Sequence, residues 1–236
     1  MAATRAVDQA PRDREAALLR RRNVRDLGGL PARSGLVFGP RRVFRGSDPS
    51  RFEPEEHAAL TSLNLRSIVD LRATAEMNKS NPATTILDVQ VFHLPLFEIA
   101  RNNWISPVDQ SPQATAIRYF EMLHDGLDSL ATAILRVAQP GSAPFLVCCA
   151  AGRDRTGIVV ACLLDLLDVT DEAIAADYAL SDLFVRDGGR AHPGTIIEFL
   201  RLLRSHHGST QRLLVSRGVS EPIVETLRRE FLVSAA

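Results

Sequence analysis

Ala143-Pro144-Phe145-Leu146-Val147-Cys148-Cys149-Ala150-Ala151-Gly152-Arg153-Asp154-Arg155-Thr156-Gly157 leads, through a short loop of small and charged residues, into a second apolar run. The run from Ala143 to Cys148 is short and reads as a buried strand, whereas Ile158 to Leu167 is long enough for a buried helix. A strand end feeding a helix start turns unpaired backbone N–H groups and the positive end of the helix dipole toward one space, which suits an anion. Ala150, Ala151 and Gly152 let the backbone curl so that consecutive N–H groups converge. Arg155, six positions after Cys149, adds a planar fork that matches two phosphate oxygens, a geometry lysine lacks. The pattern reads as a phosphoryl cradle with Cys149 beneath the phosphorus.

The same electropositive surroundings favour the thiolate, the reactive form of a cysteine, so Cys149 is the candidate nucleophile and a phosphocysteine the expected intermediate. Thr156 is placed to donate its hydroxyl to the sulfur and ease its departure when water hydrolyses that intermediate. The plainer reading is a buried cysteine ahead of a helix, with Arg155 paired to a carboxylate. Nine positions agreeing at once make it the weaker one.

These residues resemble the cysteine-dependent protein tyrosine phosphatases, whose loop reads His-Cys-x5-Arg-Ser/Thr. The likeness is closer to a mainly bacterial and fungal branch with the loop His-Cys-x-Ala-Gly-Lys-Asp-Arg-Thr-Gly, some of whose secreted mycobacterial members act on phosphotyrosine and phosphoinositides. Asn23-Val24-Arg25-Asp26-Leu27-Gly28-Gly29 is similar to the branch's Asn-x-Arg-Asp-x-Gly-Gly, and Val43 to Ser47 to its Arg-Ser-Gly segment. Leu65 to Arg72 resembles its Val-Ile-Asp-Leu-Arg strand, and Asp177-Tyr178 and the run from Gly208 to Leu232 also fit. The resemblance covers residues 20 to 233, with only the loop and the Asn-x-Arg-Asp segment specific. It implies a phosphomonoester hydrolase with Ala150, Ala151, Gly152, Arg153 and Arg155 holding the phosphate. Two positions depart from the pattern. Cys148 replaces the usual histidine, which helps to hold the loop in shape, and a neutral thiol is a poorer donor. Arg153 replaces a lysine, keeping the charge with a longer, planar group.

In most of the superfamily an aspartate on a separate mobile loop protonates the leaving oxygen. Asp109 and Asp125 are available here, but neither lies in a recognisable motif. Asp154 lies inside the cradle, and the matching aspartate of the resembling branch has been proposed for this job. It is the favoured general acid, against an alternative in which it caps the loop or pairs with Arg25. Arg25 and Asp26 are expected to brace the loop or its flanking strand. His93, His206 and His207 read as structural, and Cys148 and Cys162 as packing. No spaced His/Cys/Asp set suggests a metal, and this chemistry needs no cofactor.

Composition sets the frame. The chain has 236 residues, 45% of them hydrophobic, enough to bury a sizeable core. A net charge of +0 gives no sign of a nucleic-acid or membrane-surface protein, so any attraction for phosphate is local. Three cysteines, two adjacent, form no disulfide framework and suit a reducing cytoplasm. No apolar stretch approaches the ~18 residues of a membrane span. Residues 1–20 read as a frayed arm with a short helix around Glu15 to Arg20, without the apolar core of a secretory signal, and residues 21–236 as a single domain.

Periodicity and turn residues predict strands at Leu36 to Phe38, Val43 to Arg45, Arg66 to Leu71 and Val89 to Leu94. Helices are expected at Pro54 to Leu63, Thr74 to Lys79, Ala114 to Leu123 and Leu127 to Val137. After the central helix, others are expected at Asp171 to Phe184, Thr195 to His206, Ser209 to Ser216 and Glu221 to Leu232. Leu96 to Pro112 has no clean period and reads as a loop able to cover the site. The sum is an α/β fold, a small, mostly parallel central sheet flanked by helices, with its ligand at the strands' carboxyl ends.

Three functions remain in view. The first is a phosphatase of phosphotyrosine proteins or phosphoinositides, as the resemblance implies. The second is a phosphatase of a small metabolite such as a nucleoside or sugar phosphate. The third is a catalytically silent phosphate-binding module, against which the intact Cys149, Arg155 and Thr156 argue. Oligomeric state is not encoded in any of these features.

Overall fold

The computed structural model describes residues 13–79, 87–98, 109–187 and 190–235. Strand β6 (Phe145–Cys149) lies at the centre of a five-stranded sheet of order β1-β3-β6-β4-β5. Its neighbours β3 (Val43–Ser47) and β4 (Ser67–Asp70) run parallel to it, and β5 (Gln90–His93) runs parallel to β4. Only β1 (Arg25–Asp26), on the edge beside β3, is antiparallel. A separate two-stranded ribbon pairs β2 (Val37–Phe38) with β7 (Leu232–Val233). The expected α/β architecture is the one observed.

Strand alternation divides the core between the two sheet faces. Phe145, Val147 and Cys149 point into the larger cluster, together with the helix α6 (Asp154–Leu166). Leu146 and Cys148 point into a smaller one with Phe44, Leu60 and Ile68. Helix α6 is buried nearly all round, from Thr156 to Leu164 and again at Leu166, which explains why its sequence shows no polar stripe.

Several boundaries move for local reasons. Strand β6 starts at Phe145 rather than Ala143, because Pro144 has no N–H for the ladder and offers only its carbonyl, to Arg66 N at 2.8 Å. Helix α6 starts at Asp154, a turn before the apolar run, with Gly157 N bonded to Arg153 O at 2.8 Å. The loop itself is therefore only Ala150 to Arg153. The long helix expected from Asp171 ends at Ala179 (α7, Asp171–Ala179) and tightens into a 3₁₀ turn over Leu180–Leu183. Its start is as expected: Thr170 Oγ1 accepts from Ala173 N. Asn64, with φ 52°, makes the expected left-handed stop after α2 (Pro54–Thr61). Helix α1 spans residues 13–21, covering the short helix expected there, and Leu19 is buried in the smaller cluster. The rest of the expected arm, and most of the loop expected between Leu96 and Pro112, lie outside the described residues. His206 and His207 close the helix α8 (Pro193–His207), capped by Gly208.

Candidate active site

The loop leaves the sheet at its centre, where Ser47 of β3 pairs with Cys149 and Asp70 of β4 with Cys148. Four consecutive loop carbonyls are held from behind. Ala150 O accepts from Asp48 N at 3.4 Å and Ala151 O from Asn23 Nδ2 at 3.1 Å. Arg45 Nη2 donates to Gly152 O at 2.9 Å and to Arg153 O at 3.3 Å. In a planar trans peptide, the carbonyl of one residue and the N–H of the next point in opposite directions. The N–H groups of Ala151, Gly152, Arg153 and Asp154 therefore face the other way, and none donates to an acceptor among the described residues. That is an anion cradle with its donors unspent. Gly152 is required for it: its φ is 71°, and a Cβ there would lie 2.3 Å from the Gly46 carbonyl carbon.

The brace is itself anchored. Asp177 accepts from Arg25 Nε at 2.7 Å and Arg45 Nη1 at 2.6 Å, with Asp177 and Arg45 buried and Arg25 partly so. Arg25 also donates to Asn23 Oδ1, to Asp177 O at 2.6 Å and to Ser181 Oγ at 3.2 Å. Burial would raise the Asp177 carboxyl, but Arg45 and Arg25 outweigh it and hold it below the ordinary range. Burial and the neighbouring Arg45 push Arg25 down to about 10. The expected bracing role of Arg25 is thus visible, through Asp177 rather than Asp154. Asp26 instead ties a turn, accepting from Gly28 N at 2.9 Å and Arg41 N at 2.7 Å.

Cys149 is buried at the cradle's base, and all three cysteines are free thiols. Thr156, in the first turn of α6, is fully buried and its Oγ1 has no hydrogen-bond partner among the described residues, a donor left over for a sulfur or a ligand. Arg155 is gripped by Glu76: Nη1 donates to Oε2, and Nη2 to Oε1 at 3.0 Å. Phe97 lies under the same guanidinium, 5.1 Å from ring centre to Cζ. Burial would lower the Arg155 pKa, yet Cys149 and Glu76 raise it above its ordinary value. Glu76 is pulled down in return by Arg155, against its own burial.

The Arg153 side chain is largely buried against two carboxylates. It is paired with Asp187 at 2.6 and 3.1 Å and with Asp154 at 3.2 Å. Asp154 heads α6 and accepts from the Tyr119 hydroxyl through Oδ1. Of the other acid candidates, Asp109 is exposed and caps its own loop by accepting from Ser111 N at 2.7 Å, while Asp125 ends the helix α4 (Pro112–Asp125). Cys148 points to the opposite face. Burial, then Asp70 and Asp48, push its thiol well above the ordinary value, so it is a neutral packing group. Arg72 links those two carboxylates.

Asn23, Arg45, Glu76, Tyr119, Asp177 and Asp187 were not assigned individual roles from sequence. Asn23, Arg45 and Asp177 lie in the segments that carry the resemblance, and Glu76 follows Asp70-Leu71-Arg72 by one helical turn. Tyr119 sits on an amphipathic helix and reads as core.

Among the described residues, no group of three or more His, Cys, Asp or Glu side chains is placed to hold a metal, and no helix is long and apolar enough to cross a membrane. The catalytic core of Siw14, the PP-IP phosphatase of S. cerevisiae, matches at a TM-score of 0.44 and 20% identity over 75% of this chain and 94% of that one. The triple specificity protein phosphatase PtpB of Mycobacterium tuberculosis is 28% identical over 191 residues, covering 68% of this chain and 66% of that protein. A tyrosine-protein phosphatase of Nostoc commune is 24% identical over 212 residues, covering 78% and 72%. The chain thus spans about two thirds of the length of these relatives. A sequence profile of the tyrosine phosphatase family matches residues 17–233, nearly the whole sequence, and the chain belongs to that family.

Proposed function

We propose that this chain is a cysteine-dependent phosphomonoester hydrolase. The observation that carries the reading is the cradle: four loop carbonyls tied back, four N–H groups unspent, with Cys149 buried at its base and Arg155 pre-aimed by Glu76. The phosphoryl oxygens bind the N–H groups and the Arg155 fork. Cys149 attacks phosphorus, the P–O bond to the leaving group breaks, and Asp154 gives its proton to the departing oxygen. Water then attacks the phosphocysteine, passing a proton back to Asp154, and the sulfur leaves with Thr156 Oγ1 as its donor. The phosphatase domain takes in α1, whose Leu19 is packed under the sheet, and the three free cysteines fit a reducing cytoplasm.

The substrate is a phosphorylated protein or phosphoinositide, and phosphotyrosine is favoured. Arg153, the cation beside the cradle, is committed to two carboxylates and must break from them before it can meet a second phosphate. The test is turnover of p-nitrophenyl phosphate, followed by a panel of phosphotyrosine peptides, inositol lipids and phosphorylated metabolites. Phosphotyrosine peptides are expected to show the highest kcat/KM. No turnover of any compound would make the chain a silent binding module, and a clear preference for a metabolite would overturn the substrate class while keeping the chemistry.

A further inference from the structure

Two buried phenols meet the half-buried Asp154 where α6 begins. The Tyr119 hydroxyl of α4 donates to Asp154 Oδ1 and lies 2.7 Å from the Tyr178 hydroxyl of α7. The two rings pack edge to face at 6.2 Å, and Phe199 closes the other side of Tyr119 at 6.4 Å. Tyr178 fits because residue 157 is glycine: a Cβ there would stand 2.9 Å from the ring. Both phenols are held above their ordinary pKa, Tyr119 by burial and then Asp154, Tyr178 by burial first. Both therefore keep their protons across the working pH range and act as donors, Tyr178 to Tyr119 and Tyr119 to the carboxyl.

A carboxyl has two oxygens, and this arrangement treats them differently. Oδ1 accepts from a buried phenol. Arg153 reaches both oxygens only at 3.2 Å and is itself shared with Asp187. Among the described residues Oδ2 has no phenol on it and accepts only from Arg153, through Nε and Nη2 at 3.2 Å, and the Asp154 side chain remains 36% exposed. We propose that Tyr119, backed by Tyr178, is the positioning residue of the reaction: it fixes Asp154 by one oxygen so that the other exchanges the proton with the substrate. The idea rests on the reading of Asp154 as general acid. In the first step, the Oδ2 proton moves to the leaving oxygen as the P–O bond breaks and the S–P bond forms. In the second, the attacking water returns a proton to Oδ2. Oδ1 keeps the same donor throughout, so neither step requires the carboxyl to turn.

The experiment compares alkyl and aryl phosphates in Tyr119→Phe, Tyr178→Phe, Asp154→Asn and the Asp154→Asn/Tyr119→Phe double variant. An aryl phosphate with a good leaving group needs little protonation, so its turnover reports a folded, loaded cradle. Tyr119→Phe is expected to lower kcat on the alkyl phosphate at least tenfold relative to the aryl one, with KM little changed. Tyr178→Phe, which leaves the Tyr119 contact in place, is expected to do less. In the Asp154→Asn background, Tyr119→Phe should add nothing further to the alkyl-to-aryl ratio. If Asp154→Asn slows both substrates equally, the general-acid reading itself fails. If Asp154→Asn is selective for the alkyl substrate but Tyr119→Phe is not, the acid stands and the positioning role is wrong. A Tyr119→Phe protein without aryl turnover, or a Tyr178→Phe effect of equal size, makes the phenols general packing and overturns the proposal as well.

Discussion

Arg155 is aimed before any substrate arrives, and the group that aims it is Glu76. A bidentate pair fixes the plane of a guanidinium as well as its position, which a single contact does not. Arg155→Lys should therefore cost both binding and rate, with kcat/KM down by roughly 10²-fold or more, in the range seen for loss of a preorganised donor. Near-normal kinetics would mean that the backbone alone holds the phosphoryl group. Glu76→Ala should leave the fold intact and lower kcat/KM by about tenfold, the cost of roughly 1.4 kcal/mol of lost orientation. Cys148 carries the opposite lesson. Its thiol is buried beside two carboxylates and held neutral, so iodoacetamide at neutral pH should leave Cys148 and Cys162 unmodified until the protein unfolds. Peptide mapping of the native protein checks this, and early labelling of Cys148 would contradict it. Cys149, Arg155 and Thr156 could be nominated from the sequence because they lie within one eight-residue stretch. Glu76, Tyr119 and Asp187 could not, because their meaning arises only when separate elements bring them to α6.

At the scale of the element, the loop is a short structure held open by its neighbours. Asn23, Arg45 and the Asp48 N–H come from the segment before β1, from β3 and from the turn after β3, and each takes one or two loop carbonyls. Removing one such donor should loosen the cradle without touching the nucleophile. Asn23→Ala is expected to weaken inhibition by inorganic phosphate and vanadate severalfold, while a carbonyl that already has another donor would show no change. Gly152→Ala is more severe, since a Cβ would collide with the backbone at Gly46 and φ is left-handed. Strain of that kind costs at least ~1 kcal/mol, and urea unfolding should show a lowered midpoint together with lost activity. The elements themselves were readable from apolar period and caps, as at Thr170 and Asn64. Their ends were less so, because the 3₁₀ turn after Ala179 and the early start of α6 depend on side chains that come from elsewhere in the fold.

Across the whole molecule, Asp177 ties the sheet edge, the loop and α7 together. Its pKa is lowered on folding, so it contributes stability that is fully present above its unfolded value near ~3.9 and is lost as pH falls through the lower folded value. The stability gap between the natural protein and Asp177→Asn should therefore be constant above about pH 5 and narrow below about pH 4. Breaking so buried a pair costs about 3–5 kcal/mol on the flat part of that curve. A gap independent of pH down to acid unfolding would show that Asp177 acts by shape rather than charge. A small, mostly parallel sheet was implied by the strand-loop-helix unit, whereas its strand order, the edge strand β1 and the pairing of β2 with β7 were not, because they are set by partners far along the chain. The proposed chemistry is a covalent step at one sulfur, that of Cys149. The direct measurement is rapid acid quench of the protein during turnover of a labelled phosphomonoester, followed by peptide mapping. Phosphate bound to Cys149, and absent in Cys149→Ser, is the expected result; label on any other residue, or turnover persisting in Cys149→Ser, would contradict it.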